Sequence, residues 1–261
     1  MRVFEHERSV EVIARTDVLV VGSGPAGLAA ALAAAREGVD SMLVERYGCF
    51  GGMITQVGVE GIAWYRHEGT IDTEGIGVEF ERRAMEMAGE QTRLYSQSQV
   101  LDADLFKCLA DKLVEEASVV PLLHCLAVDA VMDGETIRGI VTESKSGRRA
   151  ILAKRVVDAT GDADIAYRAG APCRLMPQDE MMGVTVMFSC AGVDRQRFLD
   201  YVREHPCRYG DWGQNWEIET SGKEDDLLSP YLQEPFDRAR QDGLIPEGLT
   251  SIGGTFGRLT D

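Results

Sequence analysis

The chain reads as an α/β protein built on a parallel sheet, and three observations predict that class. A short apolar run, Val18-Leu19-Val20-Val21, leads directly into a cluster of glycines, as a buried parallel strand does. Small residues and leucines of high helix propensity follow up to Arg36, with Gly38 where a helix stop is expected. A second short run, Ser41-Met42-Leu43-Val44, then ends in Glu45. Strand, glycine turn, helix and strand make a βαβ unit, for which a right-handed crossover is expected.

Residues 46 to 100 are less regular and rich in glycine, a composition that fits backbone wrapped around a ligand and fits open loops equally well. A helix is expected from Gly77 to about Gly89. Asp104 to Glu116 is a cleaner helix, with Leu105, Leu109 and Leu113 at i,i+4 spacing and Asp102 or Ala103 near its start. From Val119 to Val157 short strands alternate with turns at Asp133-Gly134 and Ser146-Gly147, which predicts a β-meander inserted before a last buried strand, Ile151–Val157. Beyond Gly170 a strand is expected over Val184–Ser189 and a helix over Asp194–Glu204, followed by a polar segment containing Trp212 and Trp216. The link AGAPCRLMP suggests a boundary between a domain over 1–170 and a partial second, mixed α+β substrate or cap domain over 171–261.

Composition excludes several classes. With 261 residues, 27 Lys and Arg against 43 Asp and Glu, and a net charge of -16, the chain has no basic run to follow a nucleic-acid backbone. No apolar stretch reaches the roughly 18 residues of a membrane span, and the charged opening MRVFEHERSV is unlike a secretory signal. Six cysteines (Cys49, Cys108, Cys125, Cys173, Cys190 and Cys207) are scattered without a CxxC pair, which makes a reducing, cytoplasmic location the default. The four histidines show no metal-ligand spacing, so no metal is expected.

The glycine cluster, Gly22-Ser23-Gly24-Pro25-Ala26-Gly27, is a GxGxxG motif placed between a strand and a helix, the setting of a Rossmann-like dinucleotide site. Gly22 permits a tight turn, Gly24 lets backbone N–H groups approach a pyrophosphate, and Gly27 allows close packing of helix on strand. Glu45, about 20 residues on, is positioned to accept from ribose hydroxyls and to disfavour a 2'-phosphate. The alternative is a glycine turn of an unrelated α/β protein with Glu45 solvated at a strand end. These elements leave NAD and FAD equally open.

DVLVVGSGPAGLAAALAAAREGVDSMLVER, Gly51-Gly52, the strand-rich insertion and Val156-Val157-Asp158-Ala159-Thr160-Gly161-Asp162 together resemble the FAD-dependent oxidoreductases of the glutathione-reductase-like fold. GCFGGMITQVGVEG with DATGDADIAYRAGAP is most similar to the FAD-dependent oxidoreductase family related in fold to fumarate reductase flavoproteins. The likeness covers roughly residues 15 to 190. It implies FAD as cofactor, with Gly22, Ser23, Gly24, Pro25, Ala26 and Gly27 at the pyrophosphate, Glu45 at the adenosine ribose and Arg46 at the adenine edge. It further implies that Gly51, Gly52 and Met53 lie beside the pyrophosphate or the flavin end. Ala127 or Val128 would offer main-chain bonds to adenine, and Gly161 with Asp162 would return toward the cofactor. Members of the family continue further and close the site with a second glycine-and-aspartate segment, for which no counterpart is recognisable after residue 190. Three expectations follow: an incomplete product, completion by another chain, or incomplete flavin binding.

The resemblance implies hydride transfer between a small organic substrate and flavin N5, with a flavin monooxygenase or halogenase as the rival chemistry and a non-catalytic flavin-binding subunit as the rival class. His67, in the glycine-rich stretch GIAWYRHEGT, is the candidate acid or base because its ordinary pKa lies near neutrality; an idle loop histidine is the alternative. Cys49 lacks a nearby second cysteine for disulfide chemistry, and His124 sits in an expected strand, so both read as structural. Asp162 and Asp164 read as a cofactor-side acceptor and a helix N-terminal carboxylate rather than a metal pair. Trp64-Tyr65-Arg66 and Trp212 with Trp216 fit a substrate wall or ordinary packing. A small molecule is the expected partner, and self-association or a completing chain stays open.

Overall fold

The computed structural model describes residues 8–62, 74–89, 99–181, 191–204 and 233–245. The chain divides into two units, one of Met1–Glu60, Glu74–Thr92 and Leu101–Met187, the other of Gly61–Thr73, Arg93–Val100 and Phe188–Asp261. The strands are β1 (Glu11–Val21), β2 (Ser41–Val44), β3 (Gly61–Ile62), β4 (Gln99–Val100), β5 (Val120–Leu122), β6 (Leu126–Asp133), β7 (Thr136–Ser144) and β8 (Gly147–Asp158). In the first unit six of them form one sheet in the order β5-β2-β1-β8-β7-β6. Pairing is parallel from β5 through β8 and antiparallel from β8 to β6. This is the expected α/β architecture, a Rossmann-like parallel sheet extended by a meander.

Two strands differ from expectation for physical reasons. β1 begins at Glu11, because its first half is ordered by a main-chain ladder with β8 (Glu11 opposite Arg149, Thr16 opposite Ala153) while its side chains, Val12 and Ile13 included, are mostly exposed, so it carries no buried-strand pattern. Val120–Leu122 is not part of the meander: it pairs in parallel with β2 and forms the sheet's edge, and the meander itself starts at Leu126. The short antiparallel pair β3 and β4 in the second unit was not foreseen.

The helices of the first unit are α1 (Pro25–Arg36), α2 (Ile76–Ala88), α3 (Ala103–Glu116) and α4 (Asp164–Arg168). α3 opens on Asp102, whose Oδ1 accepts from the Leu105 N–H at 2.8 Å, while Glu60 Oε1 accepts from the Ala103 N–H at 2.9 Å. Its buried stripe is Phe106, Leu109, Ala110, Leu113 and Val114, with Leu105 only half-buried at the margin. Phe80 of α2 meets Phe106 edge to face, ring centroids 5.7 Å apart. Two bidentate ion pairs link the three longer helices: Arg36 to Glu79 at 2.7 and 2.8 Å, and Arg83 to Glu116 at 2.6 and 2.9 Å.

On one face of the sheet Leu19, Val21, Met42 and Val44 cluster with Ile140 and Ile151 of the meander and Ile165 of α4. Strand alternation turns Val20 and Leu43, both fully buried, to the opposite face. Each such side chain contributes about 1.5–3 kcal/mol by leaving water. The second unit contains α5 (Arg195–Glu204), which matches the expected helix, and α6 (Gln233–Gln241), which was not foreseen. The expected strand Val184–Ser189 lies outside the described residues. Among the described residues no helix is long and apolar enough to cross a membrane.

Glu81 of α2 is 1% exposed, and burial pushes its carboxyl up to about 7. The folded chain then keeps a proton that the unfolded chain releases near the ordinary glutamate value, so stability present at low pH is lost as pH rises through about 7. Ionisation at pH 8 costs on the order of 3 kcal/mol. Thermal unfolding is expected to show Glu81→Gln several degrees above the parent at pH 8 and level with it at pH 4.5; an equal gain at both pH values would contradict the assignment.

Candidate functional site

Three parallel strands of the sheet end level. Val21 of β1 lies opposite Val44 of β2 on one side and opposite Asp158 of β8 on the other, so the loops that follow leave the sheet along one edge. The Gly22 N–H donates to the Val44 carbonyl and the Ala159 N–H to the Val21 carbonyl, both at 2.8 Å.

The turn after β1 uses its three motif glycines differently. Gly22 has φ +93°, and a Cβ there would overlap the Ala159 carbonyl oxygen; a Cβ on Gly27 would overlap the Gly22 carbonyl oxygen. Gly24 has φ -60°, and a Cβ there would meet nothing within 4 Å. Two glycines are therefore demanded by the protein's own packing, while the third faces open space at the start of α1. Gly24 caps the helix without a side-chain hydrogen bond, the first turn contains no acid, and Pro25 has no N–H to satisfy. The positive end of the helix dipole is left for an external anion, with Pro25 and Ala26 exposed beside it.

A second loop lies on this turn. The Gly51 N–H donates to the Ser23 carbonyl at 2.8 Å, and a Cβ on Gly52, which has φ +53°, would stand 2.6 Å from Gly24 Cα. Met53–Val57 then forms a single π-helical turn, which no sequence signal announced. Met53 is 61% exposed, Thr55 donates to the Phe50 carbonyl at 2.6 Å, and Gln56 Nε2 donates to Cys49 Sγ at 2.7 Å.

Glu45 is buried, not solvated. Its Oε2 accepts from both the N–H (2.9 Å) and the hydroxyl (2.6 Å) of Ser23, and its Oε1 accepts from the Tyr47 N–H at 2.9 Å. The exposed Arg46 holds its guanidinium 4.7 Å from the centre of the Tyr47 ring. The stretch Leu122–Cys125 is laced to this strand end: Glu45 N–H to Leu122 carbonyl at 2.9 Å, Cys125 N–H to Glu45 carbonyl at 2.9 Å and His124 N–H to Tyr47 carbonyl at 3.0 Å. His124 takes φ +54°, and its imidazole fills the space beside Gly48, where a Cβ would lie 2.6 Å from it.

The third loop is organised by Asp158, a residue that sequence reasoning did not single out. Its Oδ1 accepts from the Thr160 N–H and hydroxyl at 3.1 and 2.7 Å, and its Oδ2 accepts from the Ile165 and Ala166 N–H groups at 2.9 and 2.8 Å. Burial raises its pKa, but the bonds from Ala166, Thr160 and Ile165 outweigh it and hold the carboxyl below the ordinary aspartate range. This carboxylate folds residues 158–166 into a closed ring whose Ala159 backs onto Gly22.

The structure thus brings together Gly22, Ser23, Gly24, Pro25, Ala26, Gly27, Glu45, Gly51, Gly52 and Met53, with the 158–161 loop behind them. Gly161, at φ +92°, and Asp162 are exposed at the outer side of that loop. Ala127 and Val128 lie on β6, at the edge of the sheet opposite β5, where Ala127 pairs with Thr142 and Val128 falls at a register shift; the residues laced to Glu45 are the preceding Leu122–Cys125. His67, Trp64, Tyr65, Arg66, Trp212 and Trp216 lie outside the described residues. Among the described residues no group of three or more His, Cys, Asp or Glu is placed to hold a metal ion. An open face at Gly24, an uncapped helix start and a buried carboxylate one strand away fit the pyrophosphate and ribose of an adenine dinucleotide.

Gly24→Ala is expected to unfold within about 2 °C of the parent, since the added methyl meets only open space, yet to bind FAD about tenfold or more weaker. Gly27→Ala is expected to lower the melting point strongly, by overlap with the Gly22 carbonyl. Unaltered FAD affinity in Gly24→Ala would contradict the placement of the cofactor there.

Comparison with known proteins identifies the family. The family model described as FAD dependent oxidoreductase matches residues 17–252. Digeranylgeranylglycerophospholipid reductase 1 of Methanopyrus kandleri is 34% identical over 169 residues, which cover 63% of this chain and 44% of that protein. Thiamine thiazole synthase of Sulfolobus acidocaldarius is 30% identical over 162 residues, 57% of each chain. The present chain spans about half the length of these curated relatives. A solved structure of a geranylgeranyl bacteriochlorophyll reductase-like protein from Thermoplasma acidophilum is similar over 60% of this chain and 42% of its own, at 22% identity and a TM-score of 0.46. With 17–252 matched, the chain belongs to the family of FAD dependent oxidoreductases.

Proposed function

We infer that this chain carries the FAD-binding part of an oxidoreductase that moves a hydride between a small organic substrate and the flavin. The observation that carries the reading is the asymmetry of the glycine turn: Gly22 and Gly27 are closed by protein, and Gly24 alone is open toward the helix start. When bound, FAD supplies the two-electron chemistry. The chain's own residues bind and orient. N–H groups at the start of α1, with the Gly51-Gly52 loop pressed onto Gly24, would hold the pyrophosphate. Glu45 would accept from the adenosine ribose, and Arg46, stacked on Tyr47, would border the adenine. Ala127 or Val128 and Gly161 with Asp162 remain proposed cofactor contacts, and His67 the proposed acid or base. A reducing, cytoplasmic setting is inferred with it, supported by free thiols at Cys49, Cys108, Cys125 and Cys173.

Absorbance of the purified chain, followed by denaturation and mass identification of whatever is released, tests the reading. About one FAD per chain, reducible anaerobically by an organic donor, is the expected result. Oxygen-dependent hydroxylation or halogenation of a substrate would move the assignment to the rival chemistry. Failure to take up added FAD would overturn it.

A further inference from the structure

We propose that Ser23 is a positioning residue that aims Glu45 at the adenosine ribose and so sets how strongly the site discriminates a ribose hydroxyl from a hydrogen. This rests on the FAD reading above and goes beyond it, because Ser23 cannot touch the ribose itself: it is 0% exposed, whereas Glu45 retains 5%. A carboxylate has about four lone-pair positions. Three are filled from within the chain, two on Oε2 by the Ser23 N–H and hydroxyl and one on Oε1 by the Tyr47 N–H. One acceptor position is left, on Oε1. Glutamate has three rotatable side-chain bonds, and with the hydroxyl gone Oε2 keeps only the backbone N–H of residue 23, so the carboxylate plane is held less firmly. The hydroxyl of Ser23, at 2.6 Å the shortest of the three bonds, is the only one contributed by a side chain, so it is removable without altering the backbone. The tie also joins the turn after β1 to the end of β2, so that pyrophosphate and ribose contacts are placed by one bond network.

The test is equilibrium binding of FAD, ADP and 2',3'-dideoxy-ADP to the purified chain and to Ser23→Ala. A purely structural role of Ser23 would weaken both nucleotides alike and leave their ratio unchanged. The proposal expects the parent to prefer ADP over the dideoxy analogue by about tenfold or more, the worth of a hydrogen bond to a charged acceptor. In Ser23→Ala that preference is expected to fall to about threefold or less. Should Ser23→Ala not accumulate as folded protein, Ser23→Cys, of similar volume and a weaker donor, is expected to show an intermediate ratio. An unchanged ratio in a folded variant overturns the proposal. A parent that binds FAD without preferring ADP also overturns it and leaves the cofactor assignment standing. A parent that binds neither FAD nor ADP overturns both.

Discussion

α1 lies so close to the strand before it that the Gly22 carbonyl oxygen occupies the place where a side chain on Gly27 would begin. That approach determines what the turn can do. It brings the start of the helix down onto the sheet edge and leaves Gly24, where a Cβ would meet nothing within 4 Å, as the open point of the turn. Any larger residue at position 27 would lift the helix, and the dipole with it, away from the place where the second and third loops meet.

The sheet supplies the rest of the geometry through register. Because Val21 is level with Val44 and Asp158, the residues after each strand, Gly22, Glu45 and Ala159, emerge as neighbours although they are far apart in sequence. Each loop is then closed by polar groups of its own. Glu45 takes three donors, Asp158 takes four, and Thr55 and Gln56 tie the π-helical turn back onto the Cys49–Phe50 stretch. A site assembled from carboxylates that are already hydrogen-bonded, Glu45 buried and Asp158 half-buried, is set before a ligand arrives, which reduces the ordering cost of binding.

The parts of this arrangement legible in the sequence were those with a local physical signature. The apolar run into GxGxxG, the alanine-rich α1 and the acid closing β2 each carry their meaning within a few residues. What was not legible depends on partners distant in sequence. Glu11–Thr16 is a strand because β8 lies beside it, and Val120–Leu122 joins the parallel sheet because β2 offers an edge. Glu45 reads in sequence as a solvated or ligand-facing acid, and only the fold shows Ser23 and Tyr47 donating to it. The left-handed backbone of His124, and Asp158 as keeper of its loop, have no sequence signal beyond position, since both follow from where the chain must turn after β5 and β8.

Hydrogen–deuterium exchange of the whole chain, with and without saturating FAD, tests the central claim most directly, because it reports where the cofactor meets the backbone. The account predicts that FAD slows exchange in three separate stretches, residues 22–28, 45–56 and 158–166. Protection confined to other parts of the chain, or none at the amides following Gly24, would contradict it.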